Sequence, residues 1–175
     1  MHLKWPGFNE KDSVVIELAR EDFCLAKTKV DLLGDIFTAK EELHVTLIGS
    51  ELGVILQDKI KHNKSILQLL EKTFEAIDWS FKQTGPIHVL ARLKEGVIEK
   101  SIIMLIAMHG VTDFYAQLRT LGLTDPETPV PPPHVTLYTQ NCALGIGVPG
   151  SEVLKRLTIK TLSLNAFSEL CESVT

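Results

Sequence analysis

Several features that mark large classes of protein are scarce in this chain. Its three cysteines, Cys24, Cys142 and Cys171, are odd in number, far apart and without a Cys-x-x-Cys. That excludes a disulfide framework or a zinc knuckle and fits a reducing cytoplasm. Positive charge is not in excess: 18 Lys and Arg against 22 Asp and Glu leave a formal net charge of −4. Proteins that grip long duplex nucleic acid usually carry a basic excess, so a small ligand or a strand end is the expected partner. Long apolar runs are missing as well. The most apolar stretch, Ile102 to Met108, is too short to span a bilayer and reads as a buried strand. Met1-His2-Leu3-Lys4-Trp5-Pro6 lacks the apolar stretch of a signal peptide. What remains is the composition of a soluble globular protein: 175 residues, 45% hydrophobic and 23% charged. One domain, a monomer, is expected, with core enough to need neither disulfide nor metal.

Against this ordinary background one string stands out. His44-Val45-Thr46-Leu47 recurs letter for letter as His134-Val135-Thr136-Leu137. With six His, and Thr at 14 of 175 positions, chance alone supplies about half of one His-x-Thr. Two identical four-residue copies are a different matter. Both lie in runs that read as strands, where residues i and i+2 face the same side. Each copy therefore directs an imidazole and a hydroxyl, roughly 6–7 Å apart along the strand, toward one surface.

The surroundings are also duplicated. Ser13 to Ala19 is a β-rich run; Asp22 to Leu33 carries Phe23, Ala26, Val30 and Leu33 at helical spacing, with Gly34 placed to end a helix. A polar stretch then leads to Glu42 and the first motif strand. In the second half, Ser101 to Ala107 is a strand, and Thr112 or Asp113 caps a helix through Tyr115, Leu118 and Leu121, stopped by Gly122. Pro129, Pro131, Pro132 and Pro133 deliver the second motif strand in an extended conformation. Ser13 to His44 spans 31 residues and Ser101 to His134 spans 33. The expected unit is strand, helix and motif strand, repeated at about 13–48 and 101–138 in a single domain over 1–175.

Between the halves, Leu52 to Ile77 reads as helical, with an apolar stripe of Ile66, Leu69, Leu70, Thr73, Phe74 and Ile77 and a cap at Asn63 or Ser65. Trp79 to Gln83 and Ile87 to Leu93 read as two strands turning at Gly85-Pro86, followed by a hairpin at Glu95-Gly96. Gly145, Gly147 and Gly150 break a loop before a Ser151 to Leu157 helix, and Thr158 to Leu164 is a last strand. The expected fold is α+β: two pseudo-symmetric lobes of mostly antiparallel sheet, helices outside, and a central cleft.

Two imidazoles and two hydroxyls around one volume suit phosphoryl transfer without a metal. Neighbouring histidines with ordinary pKa values near 6.5 can hold opposite protonation states around neutral pH, one as base and one as acid. Thr46 and Thr136 can donate to the non-bridging phosphate oxygens, where charge builds in the transition state. His44 and His134 have no carboxylate or Cys at a ligand spacing such as His-Glu-x-x-His, so neither a metal nor another cofactor is expected.

Two H-x-T-x motifs 90 residues apart, each on a strand in one of two related halves, resemble those of the 2H phosphoesterase superfamily, which includes the LigT-like RNA cyclic phosphodiesterases. The Pro-Pro-Pro-His-Val-Thr-Leu-Tyr-Thr string is similar to bacterial members associated with RNA repair or processing. The resemblance implies metal-independent cleavage of a 2′,3′-cyclic phosphate or a 2′–5′ linkage in a nucleotide or RNA end. It also implies His44 and His134 as acid and base, with Thr46 and Thr136 holding phosphate. Because the copies are identical, the sequence leaves acid and base unassigned. Two other functions stay open: a binding module for cyclic nucleotides or RNA ends, and an enzyme for a non-RNA cyclic phosphate.

Other residues carry alternatives. Tyr138, two beyond Thr136 and on the same face by strand alternation, either stacks on a base or packs in the core or at its rim. Its counterpart in the first copy is Ile48. Arg92 and His88 share a strand face and either reach phosphate or a base edge or face solvent. Phe37 is a stacking wall or core. The Gly145-x-Gly147 loop is a phosphate cradle or, more simply, turn chemistry. His62 and His109 read as surface or strand-end residues, and His2 lies near the terminus.

Overall fold

The structure is a computed structural model that describes residues 1–23, 25 and 28–172, with the side chains of residues 170–172 left out. Cys24, Ala26 and the side chain of Cys171 lie outside the described residues. Among the described residues the helices and strands follow in the order β1 (Val14–Leu18), β2 (Lys29–Leu32), β3 (Asp35–Ala39), β4 (Leu43–Ile48), α1 (Ser50–His62), α2 (Ser65–Glu75), β5 (Lys82–Lys94), β6 (Val97–Ala107), α3 (His109–Thr120), β7 (His134–Gln140), α4 (Ser151–Leu157), β8 (Thr158–Leu162) and α5 (Leu164–Glu172), with a 3-10 turn at Arg20–Asp22. The fold is α+β with antiparallel sheets. One sheet has two strands, β1-β4, and the other has six, ordered β2-β3-β7-β6-β5-β8.

The expected helix over Asp22 to Leu33 is not seen among the described residues of that segment. Val30 and Leu32 are buried while Lys29 and Asp31 are exposed, a period of two that fits a strand and not a helix. Leu33 and Gly34 both have positive φ, 60° and 78°, the geometry that suits a two-residue hairpin turn. Gly34 therefore reverses a strand instead of ending a helix, and Val30 pairs with Phe37 across the hairpin.

This correction breaks the expected repeat. The second half keeps its helix, α3, which begins at His109, ahead of the expected cap; the first half has a hairpin that joins the other sheet. The equivalence is confined to the strand pairs β1–β4 and β6–β7, and the pseudo-symmetric lobes expected from the sequence are not seen beyond them. The Leu52 to Ile77 segment is two helices, with Asn63 Oδ1 accepting from the Ser65 N–H (3.1 Å) and Oγ (2.7 Å) at the break. Gly85-Pro86 is not a turn: β5 runs through it with a register shift between Gln83 and Ile87. Glu95-Gly96 is the expected hairpin turn, with φ of 52° and 80°, and α5 is an element the sequence reading did not include.

One main core unites both halves. It takes Val14, Ile16, Val45 and Leu47 from the small sheet, Ile102, Met104, Val135 and Leu137 from the large one, and Leu56, Phe74, Phe114 and Leu118 from the helices. The Trp79 indole N–H, fully buried, donates to the Phe74 carbonyl at 2.9 Å, which satisfies its only donor. On the opposite face of the large sheet, Leu90, Ile103, Ile146, Val148 and Leu154 form a second, smaller cluster. Among the described residues no helix is long and apolar enough to cross a membrane.

Candidate functional site

The two motif strands come together where the sheets meet. β3 runs alongside β7, with Thr38 opposite Thr139 and Ala39 opposite Tyr138. The Lys40 N–H then donates to the Leu137 carbonyl at 2.9 Å, after which the chain bends away and enters β4. β4 comes into contact with β7 there, which sets the first motif strand alongside the second. Strand alternation fixes which way each copy faces: Leu43, Val45 and Leu47 are buried in the core while His44 and Thr46 are half-buried between them.

Both copies carry the same local defect. In the small sheet Val14 pairs with Ile48 and Val15 with Thr46, so Leu47 has no partner of its own. In the large sheet Ile102 pairs with Tyr138 and Ile103 with Thr136, so Leu137 has none. Each is a bulge at the fourth motif residue, and a bulge reverses the alternation beyond it. His134 and Thr136 stand over Leu105 and Ile103, on the face of the smaller cluster. Tyr138, by contrast, turns with Ile102 into the main core.

That geometry corrects the reading of Tyr138 as a stacking residue. It is fully buried and its ring meets Phe167 edge-on at 6.0 Å. Phe37, also 0% exposed, is core and no wall of a cleft. Arg92 is removed from the site altogether. It pairs with Glu99, six residues along β6 from Leu105, the partner of His134, a distance of about 20 Å. Its guanidinium is taken by the Glu99 carboxylate at 2.6 Å. His88 faces Thr158 and Thr161, whose hydroxyls lie 3.3 and 3.4 Å from its Nδ1, and burial lowers its pKa. His2, His62 and His109 are exposed.

The two imidazoles differ in their surroundings. His134 is buried, and its Nδ1 lies 2.8 Å from the Pro132 carbonyl. A carbonyl only accepts, so Nδ1 carries the hydrogen and Nε2 of the neutral ring presents a lone pair. The proline-rich lead-in supplies that carbonyl, and it is docked on β6 by the Ile106 N–H donating to Pro133 at 3.0 Å. Burial pushes the His134 pKa down; the Pro132 carbonyl opposes this, and the charge of His44 adds to it. The two histidines are thus within electrostatic reach of one another. His44 is also lowered, first by burial and then by Lys40, but Glu42 and Glu17 act to raise it. Glu17 sits directly opposite His44 on β1.

The sequence reading did not single out Glu17, Lys40, Glu42 or Pro132 as site residues. Glu17 had a signal, as the one charge inside Val14-Val15-Ile16-Glu17-Leu18; the others depend on the bend and the lead-in. Gly145 also belongs to the site. Its φ is +86°, and a Cβ built there would lie 3.0 Å from Thr136 Cγ2 and 3.1 Å from Oγ1. The loop backbone therefore closes directly on the Thr136 side chain. It is held there by the Ile146 N–H donating to Ser101 Oγ at 3.0 Å and by Lys40 Nζ donating to Ala143 at 2.8 Å. No group of three or more His, Cys, Asp or Glu suited to a metal ion occurs among the described residues.

A groove of about 680 Å³ opens beside the motif strands, lined by Thr38, Lys40, Glu42 and Thr139 among others. The motif residues themselves do not line it. Its link to them is Glu42, two residues before His44, and Thr139, which lies beyond the bulge on the Thr136 face. Comparison of the chain with protein-family models, with curated proteins and with solved structures finds no match.

Proposed function

We propose that the protein is a metal-independent phosphodiesterase that opens a cyclic phosphate, such as a 2′,3′-cyclic nucleotide, or a 2′–5′ linkage by two-histidine acid–base catalysis. The observation that carries this reading is the meeting of two His-x-Thr strands, each bulged at the next leucine, with β4 in contact with β7. His134, buried and hydrogen-bonded through Nδ1, is suited to be the base: its Nε2 takes a proton from water as the oxygen attacks phosphorus. His44, flanked by Glu17 and Glu42, is suited to be the acid, giving its proton to the ribose oxygen as the P–O bond breaks. Thr46 and Thr136 donate to the non-bridging oxygens. Valines and leucines on the buried side of each strand hold the four groups still. A reducing compartment such as the cytoplasm suits the chain, in which Cys142 is a free thiol.

The test is hydrolysis of 2′,3′-cyclic mononucleotides and a cyclic-phosphate-ended oligonucleotide in EDTA by wild type, His44→Ala and His134→Ala. Turnover that survives EDTA and falls by about 10²–10⁴-fold in each variant is expected. A divalent-metal requirement, or activity indifferent to either histidine, would sink the mechanism.

A further inference from the structure

Every aromatic ring in the chain can be placed: seven Phe, two Trp and two Tyr. All eleven lie in the main core or pack against it. The cluster on the face that bears His134 and Thr136 contains none, and neither does the lining of the adjoining groove. Stacking on aromatic side chains is the usual way to hold a base without reading its edge, and this face does not offer it. What it offers is hydrogen bonding. Thr38 and Thr139 stand opposite one another across β3 and β7, with Lys40 and Gln140 beside them. Lys40 Nζ is engaged by the Ala143 carbonyl, and Gln140 Nε2 by Asp35 at 2.9 Å. Glu41 and Glu42 are exposed at the same groove, where they repel any further phosphate.

Resting on the phosphodiesterase reading, we propose that the substrate is a small, singly charged cyclic phosphodiester. Its sugar or polyol hydroxyls occupy this groove, and neither a stacked base nor additional phosphates contribute to recognition. The principal competitor is a second hollow of about 380 Å³ that includes Phe8, Val15 and Glu17. It runs along the free edge of β1, one strand removed from His44, and the Phe8 ring there packs edge-on against Trp5 at 5.8 Å.

The experiment compares kcat/KM for the four nucleoside 2′,3′-cyclic phosphates, for base-free glycerol 1,2-cyclic phosphate, and for oligonucleotides of rising length with a cyclic end. The four nucleotides are expected to agree within about threefold, because the base takes no part in recognition. Glycerol cyclic phosphate should stay within about tenfold of them, and length should bring no gain. Glu41→Lys should raise the oligonucleotide value relative to the mononucleotide value, and added salt should erase that rise. A purine preference above tenfold would overturn the inference, pointing to Phe8 and the hollow behind β1, while leaving the phosphodiesterase reading intact. So would a kcat/KM that climbs with length. No turnover of any of these compounds overturns both readings together.

Discussion

Gly145→Ala puts a methyl group where the loop meets Thr136, and the contact is specific enough to be dissected. The new Cβ would lie 3.0 Å from Thr136 Cγ2, against the 3.5–4.0 Å at which carbon atoms pack best. One of the two must therefore yield by a few tenths of an ångström. Displacements near 1 Å in a catalytic constellation cost about 100-fold, so a shift of this size should lower kcat by roughly three- to tenfold. The positive φ of Gly145 adds strain of about 1 kcal/mol for alanine, felt as lower stability of the loop. The two effects separate through Thr136→Ser, which deletes Cγ2 and relieves the closer contact. It does nothing for the backbone strain. Thr136→Ser carries its own loss, yet the double variant should be several-fold more active than the product of the single losses. That corresponds to a coupling of about 1 kcal/mol, ordinary for touching residues. The assay is steady-state hydrolysis of a 2′,3′-cyclic mononucleotide by the four proteins of the cycle, with the Thr136 methyl resonance as an independent reporter. Gly147→Ala is the control, since a Cβ there meets nothing within 4 Å and its φ is not in the left-handed region. Strictly multiplicative losses, or an unmoved methyl resonance in Gly145→Ala, would refute the argument that Gly145 positions Thr136.

Three further expectations follow from the same geometry. The proposed mechanism needs neutral His134 and protonated His44, and both pKa values are lowered. The kcat/KM profile should therefore be a bell whose alkaline limb falls below the ordinary histidine value of about 6.5. Glu17→Gln, which removes a carboxylate that raises His44, should move that alkaline limb to lower pH and leave the acid limb in place; movement of the acid limb alone would reverse the assignment of acid and base. For stability, His134 and His88 ionise less readily folded than unfolded. Their contribution is thus full above about pH 6.5 and is lost as pH falls toward their folded values. Urea midpoints should drop between pH 7.5 and 5, and less steeply in His88→Asn than in wild type. Tyr138→Ala should destabilise the fold by about 3–5 kcal/mol, the cost of emptying an aromatic site in a core; a stable variant with only a raised KM would restore the stacking role.

How much was legible in the chain differs from element to element. The motif strands, the Glu95-Gly96 hairpin and the Ser151–Leu157 helix could be read because local pattern and turn chemistry agreed. The segment from Asp22 to Leu33 misled because a few apolar residues fit a helical spacing by accident, while the period of two over Lys29–Leu32 is only four residues long. Tyr138 misled for a subtler reason. Alternation puts it on the face of His134 and Thr136, and only pairing reveals that Leu137 is an extra residue that turns it inward. Arg92 and Glu99 are seven apart in sequence, with nothing to declare that they pair across a hairpin and satisfy one another.

By itself the sequence determined the chemical groups and the facing within each copy. Backbone stereochemistry makes i and i+2 share a side, so His and Thr of one motif had to act together wherever the strand lay. Tertiary structure decided everything that depends on residues distant in the chain. The contact of β4 with β7 sets the first motif strand alongside the second, and the Pro132 carbonyl fixes one tautomer. Glu17 stands across from His44 alone, since Leu105 holds the corresponding place opposite His134. Two identical motifs became unlike histidines because burial and neighbouring charge are properties of the packed chain, and no local string encodes them.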